Sequence, residues 1–351
     1  MIELISQGIK TIKQYGLKVF FFRLYNYSIF KAKRFTYPKD VRNLEKYRTL
    51  KGKYAGKRIF IVGNGPSLNR LPLYLLKNEF TMCFNRFVLM EERINWFPHF
   101  YTVTDDLVLK DQAEELNEYI IPKVDYAFFP DIHPSNLSVK KLIKQKDNVL
   151  WLYVDKPNFS DNLPQCGINK TVVNAGIQIA AYLGFEEIYL IGVDMTFGDQ
   201  QIKKMSSRNW QATGDDPNHF DPRYFGSGRS YHNPGVDEML QRFAICREFF
   251  TERGVRIYNA GYGGKLEIFP RVKFDEILNI SLEQQQKTFW NAIKSIDETI
   301  QWTDFMEYDE NNTDCSFKID VEKGIPLIKK LIISHIPFGP YRGTYFFLKR
   351  K

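Results

Sequence analysis

Residues 214–233, GDDPNHFDPRYFGSGRSYHN, concentrate groups able to move a proton. They hold His219 and His232, two of the five histidines in the chain, among glycine, proline and aspartate residues. The pattern reads as a long polar loop, and such loops inside a regular fold often serve as lids. Imidazole titrates near neutral pH, so a histidine on a lid is a natural general base. A lone histidine is more often structural, and both residues stand as candidates. His99 reads as structural, His133 is open, and His335 falls in the C-terminal tail.

A second group is suited to binding. Gly63-Asn64-Gly65-Pro66-Ser67 ends the apolar run of residues 59–62. Two glycines allow a ligand close to the backbone, and N–H groups opening a helix favour an anion. Pro66 suits a first helical turn, where its missing N–H has no partner to lose. Ser67 adds a hydroxyl. Leu68 stands where GxGxxG requires glycine, and no GK[ST] follows, so this is neither a dinucleotide fingerprint nor a P-loop. The plain alternative is a tight strand-to-helix turn. Asn85, at the end of the next apolar run, offers both a donor and an acceptor to a base or ribose. Asp105, Asp106 and Asp194 also fall at strand ends. As hard oxygen ligands they suit Mg²⁺ if their strands converge; otherwise Asp194 anchors a loop or a helix N-terminus.

Positioning these residues requires a sheet. Short apolar runs at 58–63, 80–85, 99–106, 125–131, 148–155, 187–194 and 255–261 read as strands. Their near-continuous apolar character predicts burial on both faces, hence a largely parallel sheet. Helical patterns over 170–187 and 235–254 end at Gly184 and Gly254. Strand–helix alternation predicts an α/β, doubly wound, mostly parallel fold of Rossmann type, with ligands beyond the carboxyl ends of the strands. Residues 281–301 read as helical.

Composition supports a globular chain with unusual ends. Of 351 residues, 29 are Phe and 20 are Tyr, and the net charge is +8. Residues 1–58 carry 15 Lys/Arg against 3 Asp/Glu, and residues 324–351 carry 6 Lys/Arg and no acid, so the middle is acidic on balance. A nucleic-acid reader more often spreads positive charge over its folded face, so no nucleic-acid partner is expected. The ends mix basic, aromatic and aliphatic residues without a run of about 18 apolar residues, which predicts an interfacial membrane contact and no transmembrane span. Helices packed on the domain with solvated basic faces are the alternative. Cys83, Cys166, Cys246 and Cys315 show no CxxC spacing, which argues against zinc and disulfide frameworks.

The motifs IVGNGPSL, FNRF, LGFEEIYLIGVDM and SYHNPGVD resemble the bacterial sialyltransferases that use CMP-sialic acid. They also resemble the wider MptE-like group, similar to archaeal hydroxymethylpterin pyrophosphokinase. The likeness covers roughly residues 57–275. It implies a GT-A-like α/β fold and inverting transfer from a CMP-sugar without metal or other cofactor. It places the nucleotide at Gly63, Asn64, Gly65, Pro66, Ser67, Asn85, Thr171 and Asp194. His232 matches the general base, with His219 as a second lid histidine. Departures from the family pattern concern the sugar. Val172 stands where a serine helps hold the sialic acid carboxylate, and the tyrosines beside the leaving phosphate have their nearest counterparts in Tyr224 and Tyr231. Lys170, Asn174, Arg223, Arg229 and Tyr231 remain to hold an acidic sugar or phosphate, with sialic acid, Kdo and related nonulosonates all compatible.

The expectation is therefore a glycosyltransferase of surface-glycan biosynthesis, cytoplasmic and peripheral on the inner face of the membrane. Its partners would be a nucleotide-sugar donor, a glycan or lipid-linked acceptor and an anionic lipid surface, with self-association left open. The expected divisions are a basic extension over 1–56, a nucleotide-binding domain over 57–280 and a helical, basic extension over 281–351. The alternatives are a Mg²⁺-dependent hydroxymethylpterin pyrophosphokinase, using Asp105, Asp106 and Asp194, and a non-catalytic binding protein that keeps the fold.

Overall fold

In the computed structural model, strands form wherever the apolar runs predict them. The structure describes residues 2–36, 40–71, 73–94, 96–154, 158–206 and 209–279, and the short strands Met306–Tyr308, Phe317–Asp320 and Phe346–Lys349. In chain order up to residue 279 the strands are β1 (Arg58–Val62), β2 (Phe80–Phe84), β3 (Phe100–Thr102), β4 (Tyr126–Pro130), β5 (Val149–Leu152), β6 (Glu187–Ile191), β7 (Ile202–Lys204), β8 (Asn209–Ala212), β9 (Ser230–His232) and β10 (Arg256–Asn259). Seven of them form one parallel sheet in the order β10-β6-β1-β2-β3-β4-β5. The chain builds outward from β1 to β5, then returns to the other side of β1 with β6. The point where strand order reverses lies between β1 and β6, where open α/β sheets place ligands.

Both faces of the sheet are covered, which accounts for the apolar runs. In β1, Ile59 and Ile61 point into one core with Phe84, Ile177 and Phe243. Phe60 and Val62 point into the other with Leu68, Tyr101 and Phe129. The helices Val172–Leu183 and Val236–Thr251 cover the first face. Thr171 caps the former, its hydroxyl oxygen accepting from the Val173 N–H at 3.3 Å, and Gly184 ends it at φ 100°. A Cβ on Gly184 would also sit 2.8 Å from the Cα of Gly52, so two constraints require glycine there. The other face carries short 3₁₀ turns, among them Pro66–Arg70, Leu73–Asn78 and Phe87–Arg93.

The N-terminal residues divide into two parts. Helix Val41–Leu50 packs into the core through Tyr47 and Leu50. Its buried Asn43 donates to the Trp151 carbonyl at 2.9 Å and accepts from the Trp151 N–H at 2.8 Å. One amide thus occupies both backbone groups of an edge residue in β5, protecting a sheet edge from pairing with another chain. Residues 2–36 form helical segments that meet at Gly16, where φ is 82°. Their far end is docked by Arg34, whose guanidinium bonds Asp131 at 2.5 Å and lies over Tyr153. Leu17, Phe21, Phe22, Tyr25 and Phe35 are exposed. No helix among the described residues is long and apolar enough to cross a membrane. The helix expected over 281–301 lies outside the described residues, as does the basic tail apart from Phe346–Lys349. Cys83, Cys166 and Cys246 are free and buried.

Candidate functional site

The carboxyl edge of the sheet is built around the turn after β1. The Gly63 N–H donates to the Ile191 carbonyl and the Gly65 N–H to the Gly192 carbonyl, each at 2.8 Å. The Ser67 N–H donates to Asp194 Oδ2 at 2.8 Å, and its hydroxyl makes a short bond to Asp194 Oδ1. A Cβ on Gly63 would lie 2.3 Å from the Gly192 oxygen, and one on Gly65 2.4 Å from Asp194 Oδ2. The glycines therefore let the β1 turn close against the end of β6. This corrects the expected anion cradle, because the N–H groups of Gly63, Gly65 and Ser67 are engaged within the protein. Pro66 does begin a helix, but a five-residue 3₁₀ turn whose Leu68 packs on Gly192. Asp194 is the buried anchor of the turn and is not joined to Asp105 and Asp106 as a metal ligand. Burial raises its pKa, against the opposing effect of the Ser67 bonds and the charges of Arg70 and Arg271.

The polar groups left for a ligand come from amides and arginines. Asn64 donates its Nδ2 to the Phe84 carbonyl at 3.3 Å, which spans β1 and β2. Its Oδ1 and that of Asn85 are buried without a hydrogen-bond partner among the described residues. So are the Oδ1 atoms of Asn169 and Asn174, at the start of the helix Val172–Leu183. Buried amide oxygens without partners are costly and rare, so these are acceptors awaiting donors. Asn85 takes a left-handed conformation at φ 53°, tolerated by Asn better than by most residues. Arg86 follows it, buried, with an unpartnered Nε. Arg86 and Arg229 both bond Asp111. Burial first, and then the charge of Arg229, push the Arg86 pKa down to about 10. Other basic candidates are held elsewhere. Lys170, at φ 67°, pairs with Glu238 at 2.5 Å, and Arg223 grips Asp221 through two 2.9 Å bonds. His99 packs its ring at a tilt against Phe80 and accepts from the Thr81 N–H, a structural role.

The two lid histidines occupy different environments. The loop carrying His219 docks on the β1 turn, with the Phe220 N–H donating to the Asn64 carbonyl at 3.0 Å and Asn69 donating to the Phe220 carbonyl at 2.9 Å. His219 Nδ1 lies 2.7 Å from Oδ2 of buried Asp216, which also accepts from the Phe225 N–H. A carboxylate on Nδ1 fixes the proton there and leaves Nε2 with its lone pair. Among the described residues Nε2 has no hydrogen-bond partner. The ring stacks on Tyr224 at 3.8 Å. Tyr224 is itself raised in pKa by burial, against opposing bonds from Asn85 and Arg86. His219 is thus joined to Asn64 and Asn85 through its neighbours.

His232 ends β9, in the small antiparallel sheet β7-β8-β9. Its Nδ1 lies 2.9 Å from Asn209 Oδ1 and its Nε2 3.1 Å from Asp106 Oδ1. Both ring nitrogens face oxygen acceptors, so neither is directed at a substrate proton. Tyr231 packs inward, its ring stacked on Phe225 and its hydroxyl donating to Gln200 at 2.8 Å. Burial outweighed by the His232 bond, the His133 charge and the Ser135 bond holds Asp106 well below the usual carboxylate range.

Asp216, Arg86 and Asp111 are the site residues that motif reading misses. The DxxH spacing of Asp216 and His219 was legible as a signal; the sharing of Asp111 by Arg86 and Arg229 joins residues far apart in sequence. A shallow cleft of about 490 Å³ lies at the opposite edge, lined by residues including Arg58, Glu79, Glu187 and Arg256. Two ion pairs lie in its wall, Arg58 with Glu79 and Arg256 with Glu187.

Comparison with known proteins adds a family likeness to this geometry. No curated protein matches the chain. Among solved structures, the MAf glycosyltransferase of Magnetospirillum magneticum AMB-1 aligns with a TM-score of 0.37 and 17% identity over 66% of this chain. The aligned part spans 38% of that protein's length. Residues 36–200, a span that includes helix Val41–Leu50, strands β1 to β6 and Asp194, match the family model described as 6-hydroxymethylpterin diphosphokinase MptE-like.

Proposed function

We propose that the protein transfers an acidic sugar from a CMP-linked donor to a hydroxyl of a glycan or glycolipid, with inversion. The observation that carries this reading is the Asp216–His219 pair, docked through Phe220 and Tyr224 onto Asn64 and Asn85. The unpartnered amide oxygens accept from ribose hydroxyls and from the exocyclic amine of cytosine. His219 Nε2 takes the proton of the acceptor hydroxyl as its oxygen bonds to the anomeric carbon. The bond from that carbon to the phosphate oxygen breaks, and its electron pair leaves with CMP. Arg86 and Arg229 offset the charge that develops on the phosphate. Sialic acid, Kdo and related nonulosonates all satisfy this chemistry.

A thermal-shift screen of CMP, CDP, UDP, ATP and GTP, each with and without Mg²⁺, tests the reading. Stabilisation by CMP without metal supports it; stabilisation by ATP with Mg²⁺ alone overturns it. That second result would favour the other reading, diphosphoryl transfer to a hydroxymethylpterin, which rests on the family match over residues 36–200. In that case Asp105 and Asp106 would serve Mg²⁺ without Asp194.

We also propose that residues 2–36 bring the enzyme to an anionic membrane surface, where lipid-linked acceptors lie. Exposed Phe21, Phe22 and Tyr25 share this segment with exposed Lys13 and Lys18, the pairing of apolar area and positive charge that interfacial binding uses.

A further inference from the structure

Asp105, Asp106 and His232 converge between the end of β3 and the end of β9. His232 Nε2 lies 3.1 Å from Asp106 Oδ1 and 3.6 Å from Asp105 Oδ2. One ligand atom from each of the three residues falls within 4.8 Å of the others. The geometry around them fixes which atoms meet. Asp105 Oδ1 accepts from the Leu107 and Val108 N–H groups, which turns Oδ2 toward His232. Asn209 is paired with His232 across β8 and β9, and its Oδ1 lies 2.9 Å from Nδ1. With Asn209 Oδ1 accepting from Nδ1, Nε2 is the nitrogen that faces the two carboxylates, and either a proton or a metal ion on Nε2 joins them.

We propose that Asp105 Oδ2, Asp106 Oδ1 and His232 Nε2 bind one divalent cation, which ties the β7-β8-β9 flap to the end of β3. Metal–ligand bonds of about 2.0–2.2 Å place neighbouring ligands of one ion about 3.0–3.6 Å apart, close to the spacings found. An imidazole with two carboxylates suits Mn²⁺ or Zn²⁺ better than Mg²⁺, which prefers oxygen alone. Asn209 is the outer partner that holds the imidazole in its ligating tautomer, the role a carbonyl or carboxylate plays behind metal-bound histidine. Asp105 is partly exposed, so water can complete the coordination. Lys110 Nζ also lies 4.0 Å from Asp106 Oδ2, and His133 Nδ1 3.8 Å from its Oδ1. The site takes no part in the transfer step proposed above and stands or falls separately from it.

The test is Mn²⁺ binding to the full chain after EDTA treatment and dialysis, read from the loss of the free Mn²⁺ electron-paramagnetic-resonance signal. One ion per chain is expected, together with slower hydrogen exchange over residues 202–232 when Mn²⁺ is present. His232→Ala and Asp106→Asn should abolish this binding, and Asn209→Ala should weaken it about 10- to 100-fold. Asp105→Asn, which keeps the oxygen that caps the following helix, should weaken binding with the fold retained by circular dichroism. His219→Ala should bind Mn²⁺ as the wild type does. Failure of the wild-type chain to bind Mn²⁺ or Zn²⁺ at millimolar concentration would leave a proton as the bridging cation and overturn the proposal. Unchanged binding in folded Asp105→Asn and His232→Ala variants would overturn it as well.

Discussion

The backbone N–H of Phe220 donates to the carbonyl oxygen of Asn64 at 3.0 Å, which joins the histidine-bearing loop to the glycine turn. This bond places two features separated in sequence at one edge of the sheet. On one side lie amide oxygens without partners; on the other lies an imidazole whose Nδ1 is held by a buried carboxylate.

The first consequence concerns His219. Removing a positioned general base slows proton transfer, with losses typically about 10²–10⁴-fold. His219→Ala should lower kcat in that range and leave CMP affinity within about a factor of two or three, since Asn64 and Asn85 carry the nucleotide in this account. Asp216→Asn should produce a smaller loss in kcat with a changed pH profile, because it alters the partner that fixes the imidazole tautomer. Full turnover by folded His219→Ala would move the base elsewhere.

Asp194 provides a prediction about stability. Ser67 donates to it twice, and both residues are buried. Asp194→Ala leaves those donors unpaired, at about 1–3 kcal/mol for each, and should lower the urea midpoint markedly.

The same carboxylate also sets a pH dependence. Its folded-state pKa is raised by burial, so its linked contribution to stability is complete below the unfolded value of about 3.9 and declines as pH rises through the folded value. The variant Asp194→Asn does not titrate at this position. The stability of the wild type relative to that variant should therefore fall with rising pH in the acid range. Paired urea titrations at several pH values measure this, and an increasing difference would contradict it.

The N-terminal helix carries a separate prediction. Replacing Phe21, Phe22 and Tyr25 together by Ser should reduce co-sedimentation with vesicles containing phosphatidylserine, and neutral vesicles should capture little of either protein. Loss of three aromatic contacts and retention of the basic residues, each contributing about 1 kcal/mol near an anionic leaflet, predicts partial rather than complete release. Equal binding of variant and wild type would assign these side chains to another contact.

Much of the fold is legible in the apolar runs, because strands buried on both faces leave little choice of residue. All seven runs became strands of the main sheet, and Gly184 and Gly254 follow the two expected helices. The flap β7-β8-β9 was hidden, since its strands are three or four residues long and mostly half-buried, too short to show a period. The site was legible by residue type and less so by role. A glycine turn looks the same in sequence whether its N–H groups face a phosphate or the neighbouring strand. Only the positions of Gly192 and Asp194 show that Gly63, Gly65 and Ser67 face the protein. The resemblance pointed to His232 as the base and to His219 as a second lid histidine; their partners, Asp216 for His219 and Asn209 with Asp106 for His232, are what turn the choice to His219.

The most direct measurement is a calorimetric titration of CMP into the full chain in the presence of EDTA, repeated with Asn64→Ala and Asn85→Gly. The glycine variant keeps access to the left-handed backbone conformation found at residue 85. The account predicts binding by the wild type and at least a tenfold loss in each folded variant, about 1.4 kcal/mol or more. No binding of CMP to the wild type, or equal affinity in both variants, would contradict it.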